Sequence, residues 1–576
     1  MMRVDGYAPI RDYAAIGDGR TVALVARDGS IDWLCFPDFD SPSAFGALVD
    51  AERGGSFQLE PEEPYEVERR YLTETNVLET TFTTSGGSTR ITDAMTVQEG
   101  GLVPWRELAR RVEGLSGSVP LRWRYVATAG KSAVAVQGWD AGHPEHQAAA
   151  VAGRFTTERG SRALLALTGA HEAPVELPRR DGVERRLDGT AETWRRWLRQ
   201  HDYDGPWADA VRRSLLALKL LVDARSGAIM AAPTTSLPER IGGRKNWDYR
   251  FAWVRDSAFT LDAFMRLGYR EQAHDSLAWL LDAVARTHPR VQPVYTMSGD
   301  VLGGEEKLDL PGYRGSKPVR TGNRAAGQLQ LGGFGDLLET TWLYVREGNV
   351  LDEANALSLA DVVDLLCELW EHEDAGIWEI EAAHYTQAKM ACWEAFDRAL
   401  RLVDARQLPS DRAGRWRAEA ERVREYVERE CWSEEKRSYI QAVGSEKLDA
   451  SCLLAARLGF ADPQGERLRH TIEAVRSELG DGPLLYRYTG MEQEEGAFLA
   501  CSFWLVEALA RSERFDEAAE TMEDLLALAN DVDLYSEQID PATKEFLGNF
   551  PQGLTHLSLI NAAALFRQPY ERVAGL

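Results

Sequence analysis

Residues 353–370, EANALSLADVVDLLCELW, place Ala356, Ala360, Val363, Cys367 and Trp370 three or four positions apart. That spacing is the period of a helix with one apolar face. The same period recurs in about twelve segments, beginning near Ala208, Arg255, Glu271, Gly327, Glu353, His384, Gly414, Leu448, Gln464, Glu495, Phe515 and Gln552. The connections LGYRE (267–271), REGNVLD (346–352), GFADPQ (459–464) and RSERFD (511–516) are brief. Those at 224–254, 286–326, 480–494 and 530–551 are long and rich in aromatic and polar residues. If the helices run as antiparallel pairs, alternate connections emerge on one face, so the long loops share a mouth. About six helical hairpins with that loop asymmetry predict a closed toroid. An open repeat array is the alternative, and it would carry a recurrent residue pattern at fixed period, which is not seen.

Upstream the period changes. Segments 21–36, 54–62, 76–97, 118–128, 132–141 and 162–170 are short, rich in β-branched and aromatic residues, and separated by Gly, Ser, Asp or Pro. They read as sheet packed on sheet. The expected architecture is therefore an N-terminal antiparallel β-sandwich (1–190), a charged, Trp-bearing helical linker (191–206, beginning AETWRRWLRQHDYDG) and an all-α, closed helical domain (207–576).

The 576 residues carry a net charge of −25, which disfavours nucleic acid and anionic membrane surfaces as partners. The first thirty residues scatter charges and glycines where a secretory signal needs an apolar run, and no stretch reaches the roughly 20 apolar residues of a membrane span. Six cysteines, Cys35, Cys367, Cys392, Cys431, Cys452 and Cys501, lie among apolar neighbours with no metal-type spacing. Buried thiols in a cytoplasmic protein are the expectation, with no metal and no cofactor; oligomeric state is not encoded legibly.

Three mouth loops hold the candidate chemistry. In NWDYRFAWVRDSAFTL (246–261), Trp247, Tyr249, Phe251 and Trp253 precede Arg255 and Asp256 at a helix start. Aromatic faces suit the CH faces of a sugar, while guanidinium and carboxylate groups suit its hydroxyls. A core cluster with Asp256 favouring a helix N-terminus would account for this segment taken alone. In EDAGIWEIEAAHYTQ (373–387), Glu379 follows Ile377 and Trp378, a partly desolvating setting that holds a carboxyl group protonated. In DLYSEQIDPATKEFLGNFPQG (533–553), Glu537 sits among Tyr535, Ser536 and Gln538, a polar setting for an ionised carboxylate. Most acidic residues are simply exposed. Two of them on loops of one mouth, beside aromatics and an Arg–Asp pair, form the arrangement that glycosidic hydrolysis needs. His384 and His556 lie nearby without metal spacing and read as structural residues. The segment 303–316, GGEEKLDLPGYRGS, lacks phosphate-loop context and reads as a mouth loop, with Tyr313 a candidate for a downstream subsite.

Taken with GIWEIEA (376–382), LLYRYTGMEQEEGAFLACSFWLVEAL (484–509) and SEQIDPATKEFLGNFPQ (536–552), the 246–261 motif resembles glycoside hydrolase family 15, which holds glucoamylases, glucodextranases and trehalases. IGDGRTVALVARDGSIDWLCFPDFDSPSAF (16–45) resembles its bacterial and archaeal branch. The resemblance implies a β-sandwich before an (α/α)6 barrel, and hydrolysis with inversion. It implies Glu379 as general acid and Glu537 as general base, with Gln538, which follows it, among the substrate-binding residues. Arg255 and Asp256 would grip the terminal glucose, Tyr249, Trp253 and Trp378 would line its subsite, and Arg487 would be a further sugar-binding arginine. Fungal members carry a second Glu directly after the acid, where this chain has Ile380, with Glu381 one position on. No starch-binding segment follows residue 576, so short soluble glucosides are expected. The resulting expectation is an exo-acting inverting α-glucoside hydrolase, with soluble α-glucosidic oligosaccharides placed slightly ahead of α,α-trehalose. An inverting disaccharide phosphorylase and a noncatalytic sugar-binding protein rank below both.

Overall fold

The computed structural model describes residues 3–567, apart from 98–104, 127, 129–132, 148–149, 171–172, 176 and 202. The end of the expected helical domain, 568–576, and Ser132 at the head of one expected strand lie outside the described residues.

Two antiparallel sheets form the N-terminal domain and share one long strand. In the first sheet lie β1 (Tyr13–Gly17), β2 (Val22–Ala26), β3 (Ile31–Cys35), β4 (Ser43–Phe45) and β5 (Ser56–Pro61). In the second lie β6 (Tyr65–Tyr71), β7 (Leu78–Thr84) and β8 (Gly87–Met95). Strand β9 (Trp105–Val126) runs through both. Its first half pairs with β8 and with β13 (Arg162–Ala170), which in turn pairs with β10 (Ala133–Trp139). Its second half pairs with β5 and with β12 (Ala150–Glu158), which pairs with β11 (Glu145–Gln147). The strand turns the corner at 114–117. Gly117 has φ +60°, and a Cβ there would stand 2.0 Å from the carbonyl oxygen of Gly86, so only glycine fits. Strands β1 to β3 are buried at every position rather than alternately, because the sheet's outer face is covered by the helical domain.

The helix expected at 191–206 is α1, Arg180–Leu198, so position 190 falls inside a helix. Its buried stripe of Val183, Leu187, Ala191, Trp194 and Leu198 has a clean helical period. Gly182, Gly189 and the charges between them obscure that period in the sequence.

Eleven α-helices follow among the described residues, with the 3-10 run Ala450–Ala455 in the place of a twelfth. They are α2 (Ala208–Leu220), α3 (Val254–Arg266), α4 (Arg270–Ala285), α5 (Gly332–Arg346), α6 (Glu353–Leu369), α7 (Thr386–Asp404), α8 (Ala413–Glu430), the 3-10 run Ala450–Ala455, α9 (Glu466–Leu479), α10 (Leu499–Arg511), α11 (Phe515–Leu526) and α12 (Gly553–Ala564). The helix expected near Leu448 is the 3-10 run, which Asp449 starts by accepting the Ser451 N–H at 2.8 Å. Contacts run α3–α5–α7–(450–455)–α10–α12 and back to α3, closing an inner ring of six. Helices α2, α4, α6, α8, α9 and α11 pack outside it. The protein is thus a two-domain chain, an antiparallel β-sandwich followed by an (α/α)6 barrel. Two inner helices are covered on all sides: α12 is buried along its whole length, and α10 at every position from Leu499 to Ala510. That explains their nearly unbroken apolar and small residues.

Every outer-to-inner connection is long, so the long loops cluster at the N-terminal ends of the inner helices. The sandwich grips three of them. Trp33 Nε1 donates to Pro233 O at 2.8 Å and Arg250 Nη1 to Ser41 O at 2.9 Å. Asn530 Nδ2 donates to Tyr13 O at 2.8 Å, and Arg69 pairs with Asp531 at 2.5 Å. Tyr313, a candidate for a downstream subsite, is part of this interface instead: its hydroxyl donates to Ala8 O at 3.0 Å and its ring packs on Tyr7.

Candidate active site

A cavity of about 190 Å³ opens between these loops. Of the nine site candidates, Tyr249, Trp253, Arg255, Asp256, Trp378, Glu379, Arg487 and Glu537 line it. Gln538 does not. It belongs to a small three-stranded sheet, pairing with Phe498 and Leu547, and successive residues of a strand face opposite sides. With Glu537 aimed into the cavity, the Gln538 side chain is buried behind it, and its amide meets no hydrogen-bonding partner among the described residues.

Arg255 and Asp256 occupy the first turn of α3, where backbone N–H groups favour a carboxylate. Arg255 bonds Asp256 Oδ2 at 3.2 Å through Nε and reaches Ile377 O at 2.8 Å, tying the floor to the loop that carries Glu379. Burial raises the Asp256 pKa, against the pull of Arg255. Trp253, the residue before α3, donates its indole N–H to Glu379 Oε1 at 2.7 Å.

Glu379 sits at φ +59°, a left-handed conformation that a non-glycine residue adopts at a cost of about 1–3 kcal/mol. The turn before it is tight: Gly376, at φ +62°, leaves a Cβ only 2.7 Å from the Tyr385 ring. Burial raises the Glu379 pKa above 4.5, opposed by Arg255, Trp253 and Gln330. Ile380 lines the cavity, whereas Glu381 is exposed and outside it, so the position after Glu379 presents an apolar surface.

The polar surround read for Glu537 is corrected by the structure. Its neighbours turn away, the Tyr535 hydroxyl toward Leu526 O at 3.3 Å and that of Ser536 toward Gln538 O at 2.6 Å. The carboxylate is 1% exposed. It accepts from the Tyr249 hydroxyl at 2.8 Å and from the Asn549 backbone N–H at 3.3 Å. Gly548, at φ +71°, lets the chain pass so close that a Cβ would stand 2.3 Å from Glu537 Oε2. Burial pushes the Glu537 pKa up to about 7, with Arg487, Tyr249 and Asn549 pulling it down.

Several residues behind this carboxylate escaped the sequence reading. Arg487 bonds Glu495 Oε1 at 2.5 Å and Glu239 Oε2 at 2.7 Å, and Lys245 pairs with Glu495 at 2.8 Å. Glu239 also accepts the Trp247 indole N–H at 3.1 Å. Burial pushes Glu239 up to about 8, while Arg487 and Lys245 outweigh burial at Glu495 and hold it low. Of the three carboxylates that face Arg487 and Lys245, burial raises Glu239 furthest, and the two cations hold Glu495 lowest. Glu492, Glu494 and Glu495 form a charge-rich run that reads as solvated surface; only the apolar neighbours Phe498 and Leu499 hint otherwise.

Trp378 is held edge-on by Phe498 and donates to both oxygens of Asp449, at 2.9 and 3.0 Å. His556 is buried, with Nε2 accepting from Tyr535 N at 3.3 Å and burial lowering its pKa to about 3, so it is a neutral structural residue. All six cysteines are buried free thiols. Among the described residues, no helix is long and apolar enough to cross a membrane.

The closed helical ring and its one mouth, with paired carboxylates over an arginine–aspartate floor and aromatic walls, define a glycoside hydrolase. The family model "Glycosyl hydrolases family 15" matches residues 205–564, and "Trehalase-like, N-terminal" matches residues 4–115. The chain belongs to glycoside hydrolase family 15. It is 33% identical to the trehalase of Thermoplasma volcanium, over 97% of this chain and 94% of that protein. It is 35% identical to the trehalase of Mycolicibacterium smegmatis, over 96% of this chain and 91% of that protein. Its fold resembles a crystal structure of a bacterial glucoamylase in complex with acarbose, with TM-score 0.71 and 13% identity, over 96% of this chain and 93% of that one.

Proposed function

We propose that the protein hydrolyses α,α-trehalose with inversion at the attacked carbon. Arg255 and Asp256 take hydroxyls of the first glucose, with Tyr249, Trp253 and Trp378 against its faces. Glu379, raised by burial, gives its proton to the glycosidic oxygen. Glu537 removes a proton from a water that attacks the opposite face of an oxocarbenium-like centre. Arg487, the Tyr249 hydroxyl and the Asn549 N–H all favour the Glu537 anion that this step needs. No cofactor enters the scheme.

The observation that carries the reading is the bridge between the two carboxylates. Tyr249 bonds one and Trp253 the other, and their rings pack edge to face at 5.4 Å. Both acids therefore address one cavity through a single rigid aromatic pair.

The substrate rests on the relatives: trehalases at 33% and 35% identity over nearly the whole chain outweigh a glucoamylase likeness at 13%. This reverses the order expected from sequence, in which oligosaccharides came first. Soluble α-1,4 or α-1,6 glucosides are the second reading, supported by that likeness. Six buried free thiols support a reducing compartment such as the cytoplasm. Glucose release from trehalose, maltose, isomaltose and kojibiose in phosphate-free buffer is the test. Turnover of trehalose at least about tenfold above the others supports the reading; preference for maltose or isomaltose overturns the substrate, and a requirement for phosphate overturns hydrolysis.

A further inference from the structure

We propose that Arg250 is a positioning residue through which the N-terminal domain sets the geometry of the base: it locks the backbone around Tyr249, and Tyr249 in turn holds Glu537. The inference rests on Glu537 acting as the base, and it concerns a residue that touches neither the cavity nor the carboxylate.

Tyr249 is bracketed by a buried ion pair. Arg250 bonds Asp248 in two places, Nε to Oδ1 at 2.8 Å and Nη2 to Oδ2 at 2.7 Å, and Asp248 is fully buried. The remaining guanidinium nitrogen belongs to the sandwich, with Nη1 donating to Ser41 O at 2.9 Å and meeting Cys35 Sγ at 3.4 Å. Asp248 is braced from another side: its Oδ2 accepts the Gly322 N–H at 3.2 Å and its carbonyl accepts from Asn323 Nδ2 at 3.2 Å. In this extended segment 248 and 250 share one side, which leaves Tyr249 on the other, facing the cavity.

A buried ion pair is weak evidence for stability, because desolvation offsets much of its attraction. What this pair fixes is direction. Three separate chain segments meet at residues 248 and 250, and the side chain between them is the one whose hydroxyl lies 2.8 Å from Glu537. A displacement of about 1 Å at such a group costs on the order of 100-fold in rate.

The test uses the full chain, with Arg250→Lys and Tyr249→Phe made singly and together, assayed by kcat, KM and the pH dependence of kcat/KM on trehalose, with thermal unfolding alongside. Arg250→Lys keeps the charge and loses the bidentate fork. The expected result is a kcat lowered about 10- to 100-fold with KM within about twofold, an acidic limb displaced upward as in Tyr249→Phe, and a double variant no slower than the slower single one. A folded Arg250→Lys with native kcat and an unmoved limb overturns the proposal, as does full multiplication of the two losses. If Arg250→Lys does not fold, Asp248→Asn is read by the same criteria. Failure of the underlying reading looks different: Glu537→Gln would then retain activity. If trehalose is not turned over, the series runs on whichever glucoside is.

Discussion

Replacing Tyr249 by Phe removes one hydroxyl and leaves the ring packed on Trp253. The lost contact is a 2.8 Å hydrogen bond to a carboxylate that is 1% exposed. A hydrogen bond to a charged group contributes about 1.5–3 kcal/mol, and one pKa unit corresponds to about 1.4 kcal/mol, so the Glu537 pKa should rise by roughly one to two units. The direction follows from which form is stabilised: the hydroxyl favours the anion, so its loss favours the protonated acid. Starting from about 7, the carboxylate would ionise only above about 8. Hydrolysis requires the anion, so kcat/KM for trehalose at pH 6 should fall about 10- to 100-fold and recover part of the loss as pH rises. Initial rates of glucose release between pH 4.5 and 9 give the limb directly. An acidic limb at the native position would refute the reasoning, because Glu537 would then be stabilised by something other than this hydroxyl.

Glu379→Gln removes the proton donor and should lower kcat by about two to four orders of magnitude, with the fold intact by circular dichroism. Gly548→Ala forces a methyl group against Glu537 Oε2 at a positive-φ position, so both kcat and the unfolding temperature should drop. Arg487→Met removes the cation that most favours ionised Glu537; the acidic limb of kcat/KM should move up by about one unit or more, measured on the same pH series.

Much of this architecture is legible in the sequence because burial differs so sharply between its layers. Outer helices such as α6 show one apolar stripe and inner ones such as α10 are apolar all round, and both give clear starts. Several of the places that the sequence hides share one cause, charged residues that are buried in partnership. Strand β9 opens WRELARRVEGL, which looks like surface, yet Arg110 is fully buried, bonded to Asp93 at 2.8 Å and to the carbonyls of Phe57 and Gly29. Glu239, Lys245 and Glu495 vanish from a sequence reading for the same reason. The proposed acid and base stand out because each follows an aromatic residue in a motif of its own, whereas Gln538 merely follows Glu537 in sequence, and strand alternation takes it away from the cavity. The sandwich's grip on the mouth loops has no sequence signal, since it runs largely through backbone carbonyls such as those of Ser41, Tyr13 and Pro233.

The account turns on water attacking from the face opposite a departing sugar, held there by Glu537 while Glu379 supplies the proton. Proton NMR of trehalose hydrolysis, recorded before mutarotation, reads this directly. The attacked glucose should appear as the β-anomer and the departing one as the α-anomer, in equal amounts. Two α-anomers and no early β signal would mean retention, and would contradict the roles given to both carboxylates.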